Sequence, residues 1–313
     1  MSRIHEALKK AEQERASGRS TDVAAPPPEI TRMDETTESV PVDGAPRRVE
    51  GVPMNGAAGY LRFDDLRAHC TQTEWHIDPN VNVFSSSSPS PHGAEQFRTL
   101  RSRLYQLRSS QSLRTLVVTS SVPGEGKTFV VANLAQAIVR QPDRRALLVD
   151  ADLRCARAHS VLGAPPAPGL TDYLRGEADE MDVIQYGQEG NLCFIPGGNE
   201  VTNPSELLSN GRLKTLLERV TPVFDWVILD SPPCLPVADA TILADLCDGV
   251  LMVVRAGSTP CSTAQRACQE MHGRNVVGVV LNALKEGHLY GSYYYYQSYG
   301  QGYGKNDSKA VRT

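Results

Sequence analysis

The stretch SVPGEGKT at residues 121–128 decides the fold. It follows the apolar run LRTLVVTS at 113–120 and leads into the helical run KTFVVANLAQAIVR at 127–140. This is the P-loop pattern G-x-x-x-x-G-K-[ST], with Ser121 in place of the first glycine. An ordinary turn can also contain glycine and lysine. A strand before the loop and a helix after it are, however, the context that a phosphate-binding loop requires.

Each residue type in this pattern has a chemical reason. Glycines let backbone N–H groups wrap phosphate oxygens, and the helix N-terminus adds a favourable dipole. Lys127 is expected to reach the β- and γ-phosphates and Thr128 to hold Mg²⁺, so the expected cofactors are ATP and Mg²⁺. The loop residues expected to contact the nucleotide are Ser121, Val122, Pro123, Gly124, Glu125, Gly126, Lys127 and Thr128.

Apolar runs alternate with helical runs on both sides of the loop. The predicted strands are 113–120, 145–152, 191–197, 226–232, 249–256 and 276–283. The predicted helices are 93–107, 127–140, 211–224, 237–246 and 262–273. This succession predicts an α/β protein with the P-loop NTPase fold, in which helices flank both faces of a mainly parallel sheet. Ligands of such sheets bind at the carboxyl ends of the strands.

Acidic residues follow two of these strands. Asp150 and Asp152 come after LLV, and Asp230 comes after VIL. A P-loop kinase needs a carboxylate near the metal and a group that accepts or orients the incoming hydroxyl. Each aspartate could instead only cap a helix. The residues expected to form one catalytic Mg-ATP site are Lys127, Thr128, Asp150, Asp152 and Asp230, with Thr128 and the three aspartates as metal ligands.

Two roles in this predicted site have more than one possible assignment. The base or orienting group is either Asp150 or Asp152, and the sequence does not choose between them. Arg154 is expected to bind a phosphate of the nucleotide, or else to pair with a nearby carboxylate.

Composition counts against several classes of protein. A net charge of −4 and a pI near 6.0 over 313 residues give no electrostatic reason to expect nucleic acid as a ligand. The seven cysteines include no C-x-x-C pair, so no zinc or redox motif is predicted, and reduced thiols in a cytosol are expected. No run of 18 apolar residues occurs, so a soluble chain is expected, with any membrane role acting through a partner.

Four segments are predicted along the chain. They are a short amphipathic helix at 1–20, a flexible Pro/Gly-rich linker at 21–90, a P-loop domain at 91–287 and a flexible tyrosine-rich tail at 288–313. The linker should isolate the first helix from the sheet, which makes that helix a docking element for a partner. Removal of residues 1–80 is then expected to leave ATP binding intact.

With these motifs the sequence resembles the bacterial tyrosine kinases of capsule and exopolysaccharide synthesis, in their cytoplasmic CpsD/CapB type. SSVPGEGKT matches the family's P-loop, LLVDADLR its second Walker motif and VILDSPP its Walker B motif. GLTDYLRG at 169–176, PGG at 196–198 and NPSELL at 203–208 also fit. The resemblance covers about residues 91–304. Cys155-Ala156 departs from the Arg-Pro that is common in the family, while His159 keeps a family histidine position.

The resemblance implies a protein-tyrosine kinase that works through partners. EQFRTLRSR, with Glu95, Arg98 and Arg101, matches the family's oligomer-contact helix, although Glu95 and Arg98 also suit a plain surface pair. The implied partners are further copies in a ring-like homo-oligomer when unphosphorylated, a transmembrane polysaccharide co-polymerase activator and a cognate tyrosine phosphatase. The implied location is the cytoplasm, with recruitment to the inner face of the membrane. Asn282 matches a purine-contacting asparagine of related folds.

Seven of the eleven tyrosines lie in the tail, and they are the expected phosphoacceptors: Tyr290, Tyr293, Tyr294, Tyr295, Tyr296, Tyr299 and Tyr303. By composition alone, an inert low-complexity segment is an equally good interpretation of this tail. After a kinase domain, we expect it to be phosphorylated between chains and to regulate exopolysaccharide or capsule synthesis and export. Tyr290 lies eight residues past Asn282, which allows a reach of at most about 28 Å.

Two other functions remain open at this point. One is an ATPase switch of the MinD/ParA kind, which assembles with nucleotide and phosphorylates no tyrosine. That group carries an extra lysine where Val122 stands, which counts against it. The other is a catalytically weak scaffold in which ATP only stabilises a ring.

Overall fold

The structure is a computed structural model that describes residues 61–85, 92–187 and 190–284. In these residues the strands are β1 Thr71–Gln72, β2 Thr115–Ser120, β3 Ala146–Asp150, β4 Gln185–Tyr186, β5 Leu192–Ile195, β6 Trp226–Asp230, β7 Gly249–Arg255 and β8 Val276–Asn282. The helices are α1 Phe63–His69, α2 Gly93–Arg108, α3 Lys127–Val139, α4 Ala158–Leu162, α5 Leu170–Arg175, α6 Glu180–Val183, α7 Pro204–Leu208, α8 Arg212–Val220, α9 Asp239–Leu246 and α10 Cys261–Glu270.

The strands form one sheet with the order β1-β4-β5-β3-β6-β2-β7-β8. The six longer strands, from β5 to β8 in this order, are all parallel, which confirms the predicted strands and fold class. The short β4 runs antiparallel to β5 and parallel to β1. Two-residue strands carry no sequence periodicity, so β1 and β4 were not predicted.

Helices cover both faces of the sheet, as the sequence predicts. On one face α2 and α3 pack over Trp226 and Ile228 of β6. On the other face α8 and α9 pack over Val227 and Leu229 of the same strand. Both faces of β6 are therefore buried, which explains why its sequence is a continuous apolar run rather than an alternating one. No helix among the described residues is long and apolar enough to cross a membrane.

The predicted linker is wrong for residues 61–85, which pack on the folded domain. Phe63 and Leu66 of α1 are buried in the core, and the Phe63 ring meets Phe224 edge-on at 5.9 Å between centroids. Trp75 meets Phe194 of β5 in the same way at 6.2 Å. The large apolar residues of this stretch follow no sustained helical or strand period, so tertiary contacts decide its structure. Residues 1–60 and the tail lie outside the described residues.

Two truncations should therefore differ sharply. Removal of residues 1–60 should leave the free energy of unfolding nearly unchanged, whereas removal of 1–80 should lower it by several kcal/mol. Truncation of one buried leucine or phenylalanine to alanine already costs about 2–5 kcal/mol. Urea denaturation of the two truncated chains measures the difference, with Phe63→Ala in the full chain as an independent check. Equal urea midpoints would show that α1 contributes nothing to the core.

Candidate active site

The P-loop connects β2 to α3 and adopts a backbone that requires glycine. Gly124 and Gly126 have φ angles of +82° and +93°, which residues with a Cβ atom rarely adopt. A Cβ on Gly126 would also lie 2.1 Å from Nδ2 of Asn282. Among the described residues no group accepts a hydrogen bond from the backbone N–H groups of residues 124–128. The loop and the start of α3 therefore present free donors of the kind that bind phosphate.

The parallel sheet brings the predicted Walker residues together. Asp150 and Asp230 end β3 and β6 and are direct register partners. The Thr128 hydroxyl donates a hydrogen bond to Oδ2 of Asp230 at 2.5 Å. The Lys127 ammonium acts electrostatically on the carboxylates of both Asp152 and Asp230. These contacts unite residues from three separate parts of the sequence at the carboxyl ends of the strands.

Asp150 and Asp152 have different surroundings. Asp150 is fully buried, and its two oxygens accept from the backbone N–H groups of Ala158 at 2.9 Å and Asp152 at 3.3 Å. Asp152 is 9% exposed, and its Oδ1 accepts from the N–H of Cys155 at 3.1 Å. Asp150 is therefore bound on both oxygens by the loop after β3, while Asp152 lies closer to solvent.

Burial perturbs all three carboxyls. It raises the pKa of Asp150 well above its usual range, and the neighbouring Asp230 raises that pKa further. Burial also raises the pKa of Asp152, against the opposing effect of the Lys127 charge. The pKa of Asp230 is raised to about 7 by burial, although Thr128 and Lys127 act to lower it. Desolvation is the largest cause of all three shifts, and it favours the protonated forms of these carboxyls.

The residues at Asp230 fit a magnesium ion. Oδ1 of Asp230 is buried and has no hydrogen-bond partner in the described part of the chain. Across residues 61–85, 92–187 and 190–284, no three His, Cys, Asp or Glu side chains cluster closely enough to hold a metal. Backbone N–H groups occupy both oxygens of Asp150 in this structure, and the assignment of all three aspartates as metal ligands stays a prediction. Mg²⁺ typically takes one or two carboxylates and completes its shell with water and phosphate, so Thr128 and Asp230 suit it.

In the absence of nucleotide, the Asp230→Asn variant should become more stable relative to wild type as the pH rises. The carboxyl has a folded pKa near 7 and an unfolded value near 3.9. The folded state therefore binds the extra proton, and wild type loses stability from about pH 4 to pH 7, a loss that asparagine avoids. The difference in melting temperature, variant minus wild type, should grow by a few degrees over this range.

Thermal melts at pH 4.5, 6 and 8 without Mg²⁺ measure this difference. Asp64→Asn, at an exposed position of α1, is the matched control for the loss of a carboxylate. A constant difference for Asp230→Asn would contradict a raised pKa at that site.

Arg154 takes the second of its two predicted partners, a carboxylate. Its Nε and Nη2 donate to the two oxygens of the buried Asp239 at 2.7 and 3.0 Å, and Nη2 also donates to the Ser205 hydroxyl at 2.9 Å. Ser205 in turn donates to Asp239. The Arg154 guanidinium joins the loop after β3 to α7 and α9, and its contact with nucleotide stays a prediction. Sequence reasoning missed Asp239 and singled out Ser205 only within NPSELL.

The predicted interface helix α2 has two kinds of contact. Arg98 forms a 2.9 Å ion pair with Glu95 on the exposed surface. Arg101 donates from Nη1 to the carbonyl of Ala137 at 2.6 Å, near the C-terminus of α3. Arg101 therefore fastens α2 to α3 within the chain. The role of these three residues between chains stays a prediction.

Asn282 ends β8 beside the P-loop. Its Nδ2 donates to the backbone carbonyl of Glu125 at 2.9 Å. The Asn282 side chain is thus in contact with the phosphate-binding loop. Its expected hydrogen bonding to adenine stays a prediction. The tyrosines of the tail lie outside the described residues.

The sheet order and the loop define a P-loop NTPase fold, and a model of the AAA domain family matches residues 113–265. Tyrosine-protein kinase YwqD of Bacillus subtilis is 32% identical over 206 residues, which cover 65% of this chain and 86% of that protein. Tyrosine-protein kinase etk of Escherichia coli K12 is 33% identical over 67% of this chain and 29% of that protein. The chain belongs to the family of bacterial tyrosine kinases, and its enzyme class is protein-tyrosine kinase.

Solved structures agree with this assignment. The kinase domain of Escherichia coli tyrosine kinase ETK superposes with a TM-score of 0.61 at 30% identity, over 75% of this chain and 87% of that domain. The chimerical protein CapA2B2 gives the same TM-score at 25% identity. The chain spans less than a third of the full length of etk, so the activities of that whole protein are not transferred by similarity.

Proposed function

We propose that this chain transfers the γ-phosphoryl group of Mg-ATP to tyrosines at 290–303 of another copy of itself. One observation carries the proposal: β8 ends at Asn282 in contact with the P-loop, 2.9 Å from the Glu125 carbonyl. The tyrosine cluster begins eight residues later, so the chain itself delivers acceptor hydroxyls to the neighbourhood of a phosphate site. Family membership supports the reaction type.

The site residues divide the proposed reaction among them. The free N–H groups of residues 124–128 and the Lys127 ammonium hold the phosphates in line for attack. Thr128 and Asp230 would hold Mg²⁺, which supplies charge neutralisation at the β- and γ-oxygens. Asp152 is the proposed base, because it is the more exposed of the two candidates and Asp150 is bound on both oxygens.

One bond to the γ-phosphorus forms and one breaks in the proposed transfer. The tyrosine oxygen forms a bond to the γ-phosphorus, and its proton passes to Asp152. The bond from the γ-phosphorus to the bridging oxygen breaks, and ADP leaves. Lys127, next to Asp152 and Asp230, stabilises the charge that develops on the transferred group. Asp150 holds the loop after β3, and so keeps Asp152 in position.

The biological setting is proposed from the resemblance and from the family. The kinase acts in regulation of exopolysaccharide or capsule synthesis and export, at the inner face of the membrane, with a transmembrane co-polymerase activator and a cognate phosphatase. Unphosphorylated chains assemble as a ring-like homo-oligomer through Glu95, Arg98 and Arg101. Each phosphate adds about −1.5 to −2 charge to an almost uncharged tail, so phosphorylation at several tyrosines disfavours close packing of copies.

Mass spectrometry of the full chain tests the proposal directly. Protein produced alone and with a candidate activator is incubated with Mg-ATP, and phosphotyrosine is mapped. We expect phosphate within 290–303 and none in Lys127→Met. A variant with phenylalanine at all seven tail tyrosines controls for tyrosines elsewhere. ATP hydrolysis without any phosphotyrosine, even with the activator, would favour the MinD/ParA-like switch.

A further inference from the structure

A buried carboxylate lies inside the phosphate-binding loop. Glu125 is only 1% exposed. Its Oε2 accepts a hydrogen bond from the backbone N–H of Val122 at 2.9 Å, so the side chain closes the loop on itself. Its Oε1 accepts from the hydroxyl of Thr259 and, at 3.3 Å, from the backbone N–H of Arg255. Neither residue belongs to the loop, and Thr259 is 134 residues away in sequence.

Further contacts from the ends of β7 and β8 reach the same loop. Arg255 donates from Nη1 to the Gly124 carbonyl at 3.0 Å. Asn282 donates to the Glu125 carbonyl, so Glu125 is held by both its backbone and its side chain. The backbone that presents N–H groups to phosphate is thus fixed from outside by residues of two neighbouring strands.

The Thr259 hydroxyl is the critical member of this set. Burial of a carboxylate is costly unless hydrogen bonds compensate it, and donors to a charged acceptor are about twice as strong as neutral ones. Among the described residues, Thr259 supplies the side-chain donor to Glu125, while the other two donors are backbone groups that substitution cannot remove. Loss of this hydroxyl leaves one carboxylate oxygen underbonded beside the site of the triphosphate.

We propose that Thr259 is a positioning residue for ATP, which acts through Glu125 to hold the P-loop N–H groups in the geometry that binds phosphate. This deepens the proposed function and rests on its ATP site. The N–H groups contact phosphate before the reaction and in the transition state alike, so their misplacement weakens both states. The KM for ATP should therefore rise while kcat changes little.

The test compares three substitutions in the full chain. Thr259→Val removes the hydroxyl at nearly constant volume, Thr259→Ser keeps it, and Thr263→Val makes the same change in α10, at a residue whose hydroxyl has no hydrogen bond in the described part of the chain. Titration with a fluorescent ATP analogue and Mg²⁺ gives the Kd, and tail phosphorylation gives KM and kcat. Melting without nucleotide monitors the fold.

Thr259→Val should raise both the Kd and the KM for ATP about 10-fold, in line with the loss of one hydrogen bond to a charged group, and change kcat by less than about three-fold. Thr259→Ser and Thr263→Val should stay within about two-fold of wild type. Unchanged binding by Thr259→Val, or equal impairment of Thr259→Ser, would overturn the proposal. So would collapse of the fold in Thr259→Val, because the residue would then be structural.

A double-mutant cycle with Glu125→Ala, which removes both carboxylate oxygens, separates action through Glu125 from a general effect. If Thr259 works through that carboxylate, Thr259→Val should add less than about two-fold to the Kd of Glu125→Ala. A full 10-fold addition would overturn the mechanism. The nucleotide titration does not depend on phosphoryl transfer to tyrosine. The proposed function and the proposed role of Thr259 can therefore be refuted separately. Wild type that binds ATP without phosphorylating tyrosine refutes the proposed function alone, and a Thr259→Val chain that binds ATP like wild type refutes this inference alone.

Discussion

Asp152→Asn should lower the kcat for tyrosine phosphorylation by about 10²–10⁴-fold, the usual contribution of a positioned general base, and leave the Kd for ATP within about three-fold. Asparagine keeps the oxygen that accepts the Cys155 N–H but cannot take the tyrosine proton. Stopped-flow or quench measurements at saturating ATP give the rate, and analogue titration gives the Kd.

Asp150→Asn is the matched comparison, two residues before Asp152 at the end of β3. Burial and the neighbouring Asp230 favour the protonated form of Asp150, and asparagine matches that form in charge, although its amide nitrogen cannot accept one of the two backbone N–H groups that Asp150 binds. We therefore expect Asp150→Asn to retain clearly more activity than Asp152→Asn. The reverse order would assign the base to Asp150 and leave Asp152 as the orienting residue.

The pH dependence gives the same assignment an independent test. A base acts when ionised, so the rate should rise with pH through the pKa of Asp152, which burial places above the usual value of an aspartate. This acidic limb should be present in wild type and Asp150→Asn and absent in Asp152→Asn. A limb that persists unchanged in Asp152→Asn would belong to another group.

Local pattern was sufficient to predict the centre of the fold. The strands β2, β3 and β6 are covered by helices on both faces, which forces continuous apolar runs, and the glycines of the P-loop mark the turn between β2 and α3. Strand ends of a parallel sheet meet at one edge, so Asp150, Asp230 and Thr128 could be placed together before any coordinates.

Contacts between residues distant in sequence could not be predicted in this way. Arg154 pairs with Asp239, 85 residues away. Because a guanidinium binds a carboxylate or a phosphate with the same geometry, the sequence alone does not choose between these partners. No sequence motif predicts the hydrogen bond from Thr259 to Glu125. Phe63 and Leu66 also gave no signal, because two apolar residues in one helical turn resemble a linker until the core they fill is known.

Transfer between chains predicts a clear result when two incomplete chains are mixed. One chain carries Lys127→Met and keeps its tail, and the other is active but lacks residues 288–313. The first cannot hold phosphate for transfer and the second has no tail tyrosines, so phosphate in 290–303 of the first arises only between chains. An assembly of copies raises the effective concentration of a neighbour's tail, which favours this route. We expect the inactive chain to be labelled to at least about half the wild-type level.

No single tyrosine should be indispensable in this reaction. Tyr293 to Tyr296 are consecutive, and Gly and Ser residues flank them, so neighbouring hydroxyls can replace one another at the γ-phosphate and one Tyr→Phe change should cost less than about two-fold. A Lys127→Met chain with phenylalanine at all seven positions is the control and should stay unlabelled. If the inactive chain with its intact tail also stays unlabelled, while wild type phosphorylates itself under the same conditions, transfer occurs within one chain and the tail must reach its own P-loop.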